Sequence, residues 1–269
     1  MSLGGFLNVA EWFGSKSTTP GVGVGGYQGR QLASGDLLSI TTQVPGVSGD
    51  LRLPQHLIPQ YPDHWEFMAM PGPYDEGYLV PDSIDMLYST SFRVSHNAAR
   101  GGIRLLGPKP TWARTDGGEG GAHPSNLIEY GYAIGSLNWT GDDPVIFPVD
   151  APDLGGFVSS HTICKADLWK LGQVKAGDTL KYRATSLEDA LSARREVERF
   201  INEIAQGCQK GDLSSISPIK GDLAPELTAE KRGHGVIHQI QESGGQPLVS
   251  YRQVSQQFFQ SLIFVQLTT

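Results

Sequence analysis

Between Leu106 and Asn126 the chain reads LGPKPTWARTDGGEGGAHPSN, which packs two cations, two carboxylates, a histidine and an amide into 21 residues. Prolines stiffen this run and five glycines loosen it. That is the composition of an irregular surface loop carrying chemistry rather than of a core segment. Bare glycines such as Gly117 and Gly118 let backbone amides approach a ligand closely, as stabilising an oxyanion or enolate requires. Lys109 and Arg114 would add positive charge, and the Asn126 amide a further donor. Asp116 and Glu119 would accept protons from amide or amine hydrogens of a substrate, and His123 is the residue type that shuttles protons near neutral pH. Each residue taken alone reads as a turn residue or half of a surface ion pair; the cluster as a whole reads as a site.

Other polar pieces divide between site and scaffold. Asp150 closes an apolar run and precedes the pair Gly155-Gly156, a placement that suits substrate contact as well as a tight turn. Gly141-Asp142-Asp143-Pro144 is a turn by composition, with carboxylates solvated or capping rather than holding a metal. His64, His161, His234 and His238 have no carboxylate or cysteine at ligand spacing, so they read as surface or packing and no metal site is expected. Trp112, Trp139 and Trp169 read as core or pocket walls. The glycine-rich stretch Gly21 to Gly29 lacks the G-K-[ST] ending of a phosphate loop and reads as a β turn.

The elements that must position these residues are short strands. With 34 glycines and 17 prolines in 269 residues the chain is turn-rich, and short apolar runs at Glu66 to Met70, Ser91 to Val94, Ile103 to Leu106 and Val145 to Val149 alternate with turn clusters. Two glycine-aspartate turns, Gly35-Asp36 and Gly177-Asp178, each lead into a strand, the second with Leu180 and Tyr182 alternating against polar neighbours. The pattern predicts a mainly β fold, a barrel or sandwich. One amphipathic helix follows Ser186 as N-cap, carries Leu187, Ala190, Leu191, Val197, Phe200, Ile201 and Ile204 on one stripe, and stops at Gly207. Its opposite face, Arg194, Arg195, Glu198 and Arg199, reads as solvated surface.

Composition excludes several classes. A net charge of −7 without a basic tract argues against nucleic acid as partner. No run of about 18 apolar residues is present and the first residues lack signal-peptide character, so neither a membrane nor secretion is expected. Two cysteines 44 residues apart, Cys164 and Cys208, suggest a reducing, cytoplasmic setting.

The run His96 to Pro110 (HNAARGGIRLLGPKP), then Trp112-Ala113-Arg114, Asp116-Gly117-Gly118-Glu119-Gly120 and His123-Pro124-Ser125-Asn126, resembles the carboxyltransferase domain of urea carboxylase, the KipA-type half. The likeness continues through Gly141 to Pro144, Asp150 to Val158 and Trp169 to Asp178. It implies a cyclophilin-like β barrel with a C-terminal helix and the start of a second, incomplete domain. It also implies transfer of a carboxyl group from carboxybiotin to a urea nitrogen, giving allophanate. Biotin would arrive on a separate carrier domain, ATP would be used by a separate biotin carboxylase domain, and a KipI-like half would be a further partner. On this reading Asp116, Glu119 and His123 are catalytic, Lys109, Arg114, Asn126 and Asp150 bind substrate, and Gly117, Gly118, Gly155 and Gly156 lie against the cofactor.

The expected organisation is a barrel domain over 1–183, the helix over 184–207, a linker over 208–230 and the start of a KipI-like half over 231–269. A T-V-Q-D-x-G-R phrase that opens the family's domain is missing and the tail VSQQFFQSLIFVQLTT has no family likeness, so truncation at both ends and open barrel edges are expected. Competing readings are a subunit of a 5-oxoprolinase-like, ATP-dependent amide hydrolase, a regulatory binding protein, and a non-catalytic fragment.

Overall fold

The structure, a computed structural model, describes residues 5–43, 52–75 and 77–219. The expected KipI-like start, the terminal tail and the second half of the expected linker lie outside these residues.

Two compact units divide the chain, and the smaller holds residues 5–43. In it β1 (Gly5–Leu7) pairs antiparallel with β2 (Ile40–Gln43). The glycine-rich stretch between them forms turns, with Gly25, Gly26 and Gly29 at positive φ. A side chain on Gly29 would collide with the Gly23 carbonyl, so glycine is required by both conformation and space. Asp36 accepts two hydrogen bonds from Arg30, at 2.7 and 2.8 Å, and one from the Ala33 backbone N–H. These donors, Arg30 first, hold its carboxyl down at about 2.

The larger unit contains the elements β3 (His64–Pro71), α1 (Pro81–Ser89), β4 (Ser91–Val94), β5 (Ile103–Leu106), β6 (Asn126–Gly131) and β7 (Ser136–Thr140). They are followed by β8 (Asp143–Ile146), β9 (Leu154–Phe157), β10 (Ser159–Ile163), α2 (Leu168–Leu171), β11 (Thr179–Ala184) and α3 (Leu187–Lys210). Seven strands close a barrel in the order β10, β3, β11, β4, β5, β8, β7, with β7 returning to β10. Only the β11–β3 pair is parallel, and its register runs without a break from Thr179 opposite His64 to Ala184 opposite Ala69. The open edges expected from the sequence are therefore not found: every barrel strand has two neighbours, which removes unpaired edge amides. β6 and β9 form a separate antiparallel ribbon beside the barrel strands.

Alternation builds the core. On β11, Leu180, Tyr182 and Ala184 are buried while Thr179, Lys181 and Arg183 are half-buried, the period of a strand with one inward face. They meet Phe67, Phe92, Leu105, Leu137, Trp139 and Ile146 in the barrel interior, and α1 contributes Leu87 and Tyr88. His161 on β10 is also fully buried.

Ser186 caps α3, its Oγ accepting the Asp189 N–H at 3.1 Å. The helix stops at Gly211, which is left-handed at φ 72°, and not at Gly207. Gly207 lies inside the helix, and a side chain there would meet Leu213 and the Asp212 carbonyl at 2.7 Å. Its bare surface lets the following segment fold back, so that Leu213 and Ile216 bury against Leu57 and Phe200. Residues 211–219 thus pack on the helix where the sequence suggested only a linker. Leu187 and Leu191, expected on the apolar stripe, stay exposed. Arg194 and Arg199 pair with Glu198, Glu196 and Glu203 along the solvated face, as expected.

Candidate functional site

The long polar loop after β5 returns to the barrel at the hairpin between β7 and β8. Gly141 makes that turn at φ 72° and leaves Asp142 at the barrel rim. Three donors converge on the Asp142 carboxylate. The Trp112 indole N–H donates at 3.0 Å, His123 Nε2 lies at 3.3 Å, and the Lys109 ammonium lies at 3.6 Å. The indole hydrogen bond, with the Lys109 ammonium adding positive charge, holds the Asp142 carboxyl below its usual value.

Trp112 stands edge-on to Trp139, the buried floor of this rim, with ring centroids 6.2 Å apart, and His123 stands edge-on to Trp112 at 5.5 Å. A short bridge between Leu79 and Trp112 ties the loop to the segment ahead of α1, and the Ser83 hydroxyl accepts the Thr111 N–H at 2.8 Å.

Beside this cluster sits Arg114. Its guanidinium lies 5.3 Å from the centre of the Tyr78 ring and reaches the Asn126 carbonyl and Glu119 Oε1, each at 3.4 Å. Ser125 joins the two groups. Fully buried, its hydroxyl lies 3.0 Å from His123 Nδ1 and 3.2 Å from Asn126 Oδ1, and it accepts the Gly141 N–H at 3.2 Å.

A row of aromatic rings flanks Arg114: Tyr78 against Tyr74, Tyr74 against Tyr130, Tyr130 against Tyr132, and Tyr132 against Phe147. The Tyr130 hydroxyl donates to the Phe157 carbonyl and the Tyr132 hydroxyl accepts the Phe157 N–H, both at 2.8 Å. Burial pushes both phenols up, so they are neutral walls at physiological pH.

Five of the expected site residues, Lys109, Arg114, Glu119, His123 and Asn126, are thereby assembled. Asp116 lies in the same loop, exposed and without a side-chain partner among the described residues. Asp150 is not brought to the cluster. It follows the far end of β8 and pairs with Arg100 at 3.3 Å, at the opposite rim of the barrel, because β8 carries the chain across the wall between Asp142 and Asp150.

The four glycines expected to admit a cofactor are filled by the chain itself. A side chain on Gly118 would strike the His123 carbonyl, one on Gly117 the Ala122 carbonyl, one on Gly155 the Tyr132 hydroxyl, and one on Gly156 the Leu127 carbonyl. Close packing of the loop, and of β9 against β6, thus leaves no room for a side chain at these positions. Among the described residues no group of three or more His, Cys, Asp or Glu side chains is placed to hold a metal ion, and no helix is long and apolar enough to cross a membrane.

Sequence reasoning passed over Asp142, Ser125 and Tyr78. Asp142 sits in a turn whose composition signals solvent, and nothing local reveals that residues 109, 112 and 123 return to it.

The family model "Carboxyltransferase domain, subdomain A and B" matches residues 1–184. The chain belongs to this carboxyltransferase family. It is 72% identical over 257 residues to a protein of Emericella nidulans described as "Putative urea carboxylase", covering 95% of this chain and 21% of that protein. It is 36% identical over 264 residues to urea amidolyase of Saccharomyces cerevisiae, covering 96% of this chain and 14% of that one. Among solved structures, urea carboxylase of Kluyveromyces lactis superposes with a TM-score of 0.62 at 34% identity, over 86% of this chain and 20% of the other. The chain thus spans about a fifth or less of the length of these relatives. The mainly β barrel with its C-terminal helix is the fold expected from the family resemblance.

Proposed function

We propose that this chain is the carboxyltransferase part of a biotin-dependent urea carboxylase, moving a carboxyl group from carboxybiotin to a urea nitrogen to give allophanate. The observation that carries the proposal is the meeting of Arg114, Glu119 and Asn126 at one barrel rim, in a chain closely similar to a urea carboxylase.

The residues present fit an anionic carboxyl group and a small amide. Arg114 has five N–H donors and makes only long contacts of 3.4 Å to its protein partners, so donors remain for a carboxylate oxygen or the urea carbonyl. Lys109 projects an exposed ammonium over the same rim and adds to the positive field. The carboxylate of Glu119, half exposed, and the unpartnered one of Asp116 accept urea N–H groups and draw off the proton that the attacking nitrogen must lose. The neutral tyrosines exclude water from one side, which strengthens these charge contacts.

When bound, biotin supplies the activated carboxyl; its carrier domain, the ATP-consuming biotin carboxylase domain and a KipI-like half are the partners this reading requires. The two cysteines are free, and we read the enzyme as cytoplasmic, where ATP is available. Ser125, the serine beside His123, is wholly buried, so it is not placed to serve as the covalent nucleophile of an amide hydrolase.

Arg114→Ala, introduced into the enzyme together with its biotin carboxylase and carrier domains, should lower kcat/KM for urea about 100-fold, with Arg114→Lys intermediate. Biotin carboxylation measured without urea should be unchanged in both. Full urea-dependent activity in Arg114→Ala would refute the assignment.

A further inference from the structure

The geometry points to Asp142 and His123 acting as positioning residues: together they lock the site loop onto the barrel, and His123 is held as one neutral tautomer that carries no proton to or from substrate. This inference deepens the reading of the rim as a carboxyl-transfer site and rests on it for its kinetic consequences.

Both ring nitrogens of His123 are already engaged. The Ser125 backbone N–H donates to Nδ1 at 3.2 Å, which requires a lone pair on that nitrogen. The ring proton of the neutral imidazole therefore sits on Nε2, the nitrogen that faces Asp142 at 3.3 Å. The Ser125 hydroxyl agrees with this tautomer, since it accepts from the Gly141 N–H and has a proton free for Nδ1 or for Asn126 Oδ1. A base that takes a proton from substrate must present a free lone pair to it, and His123 has none to present.

The charged and titratable groups facing His123 are few. Asp142, from the β7–β8 hairpin, is in direct contact and its own carboxylate is shared with Lys109, while Trp112 covers one side of the ring without charge. The loop carrying Arg114, Asp116 and Glu119 is consequently fastened on both flanks: by Lys109 and Trp112 before it and by His123 and Ser125 after it, all reaching the same hairpin. A hairpin of a closed barrel is a rigid anchor, so the carboxylate at its tip fixes where Arg114 and Glu119 stand.

Two measurements test this. In the isotopically labelled chain, two-bond nitrogen–proton correlation spectra should give His123 the Nε2–H tautomer, and Asp142→Asn should keep it, because the Ser125 N–H still donates to Nδ1 and the asparagine Oδ1 still accepts from Nε2–H. An Nδ1–H or rapidly averaging imidazole in the unsubstituted chain would overturn the inference, whether or not the enzyme transfers carboxyl groups to urea. In the assembled enzyme, His123→Ala should lower kcat at least tenfold, and His123→Gln, whose amide can still donate to Asp142 but cannot titrate, should restore it to within about threefold with an unaltered pH profile. A loss of about 100-fold or more in a folded His123→Gln enzyme, the scale of a missing acid–base group, would overturn it. Absence of urea carboxylation in the unsubstituted enzyme would instead count against the proposed function, leaving the tautomer result as the decision on this inference.

Discussion

The strand β8 has an aspartate beyond each end, and the two differ in everything except residue type. Asp142, at the rim reached by the long loop, is one-third exposed and gathers an indole, an imidazole and an ammonium. Asp150, past the other end, is half exposed and faces a single arginine, Arg100, itself 60% exposed. A carboxylate gains function from the number of donors that the fold brings to it in partial shelter from water, since an exposed pair is screened and flexible. The two rims are therefore unequal: one gathers three donors around a partly sheltered carboxylate, the other holds an exposed ion pair.

The contrast can be broken most severely from beneath. Trp139→Ala removes the buried floor against which Trp112 stands, and should cost roughly 3–5 kcal/mol in chemical denaturation together with the geometry of the Asp142 rim. Asp142→Ala leaves the Trp112 N–H without its partner and frees Lys109 and His123; about 1–3 kcal/mol should be lost on the same assay.

A third test separates the rim from the barrel interior through the histidine buried inside the barrel. His161 is wholly buried, has no partner for Nε2 among the described residues, and is pushed by burial down to about 3. The unfolded chain binds that proton near pH 6.5 and the folded chain does not, so stability falls as pH drops from about 6.5 toward 3, by up to about 1.4 kcal/mol per pH unit from this group. Denaturation curves across that window should show the slope, and His161→Leu should flatten it by that share. Smallest of all, Asp150→Ala should change stability by no more than about 0.5 kcal/mol and do less still in high salt. A cost matching that of Asp142→Ala would erase the contrast between the rims.

Much of the scaffold was legible beforehand. The runs at Glu66 to Met70, Ser91 to Val94 and Ile103 to Leu106 fall in β3, β4 and β5, and the Gly177-Asp178 turn opens β11. Ser186 begins α3 as its hydroxyl chemistry demands. The end of that helix was misplaced because Gly207 and Gly211 are alike as letters, and only the packing of Leu213 into the space at Gly207 distinguishes them. Leu213 and Ile216 were passed over for a related reason: two apolar residues without a period carry no signal until Leu57, far earlier in the chain, arrives beside them.

The candidate site divides along the same line. Local composition sufficed to select the loop holding Lys109, Arg114, Asp116, Glu119, His123 and Asn126, because glycines, prolines and charges in such density can neither form a regular element nor bury a core. Partnership was decided only by the closed barrel. Whether Asp142 or Asp150 joins the loop depends on which end of β8 faces it, and whether His123 has a free nitrogen depends on where the Ser125 amide points. Hydrogen bonds and ion pairs act over a few ångströms between residues distant in sequence, so one-dimensional spacing can name the participants while three-dimensional closure assigns their roles.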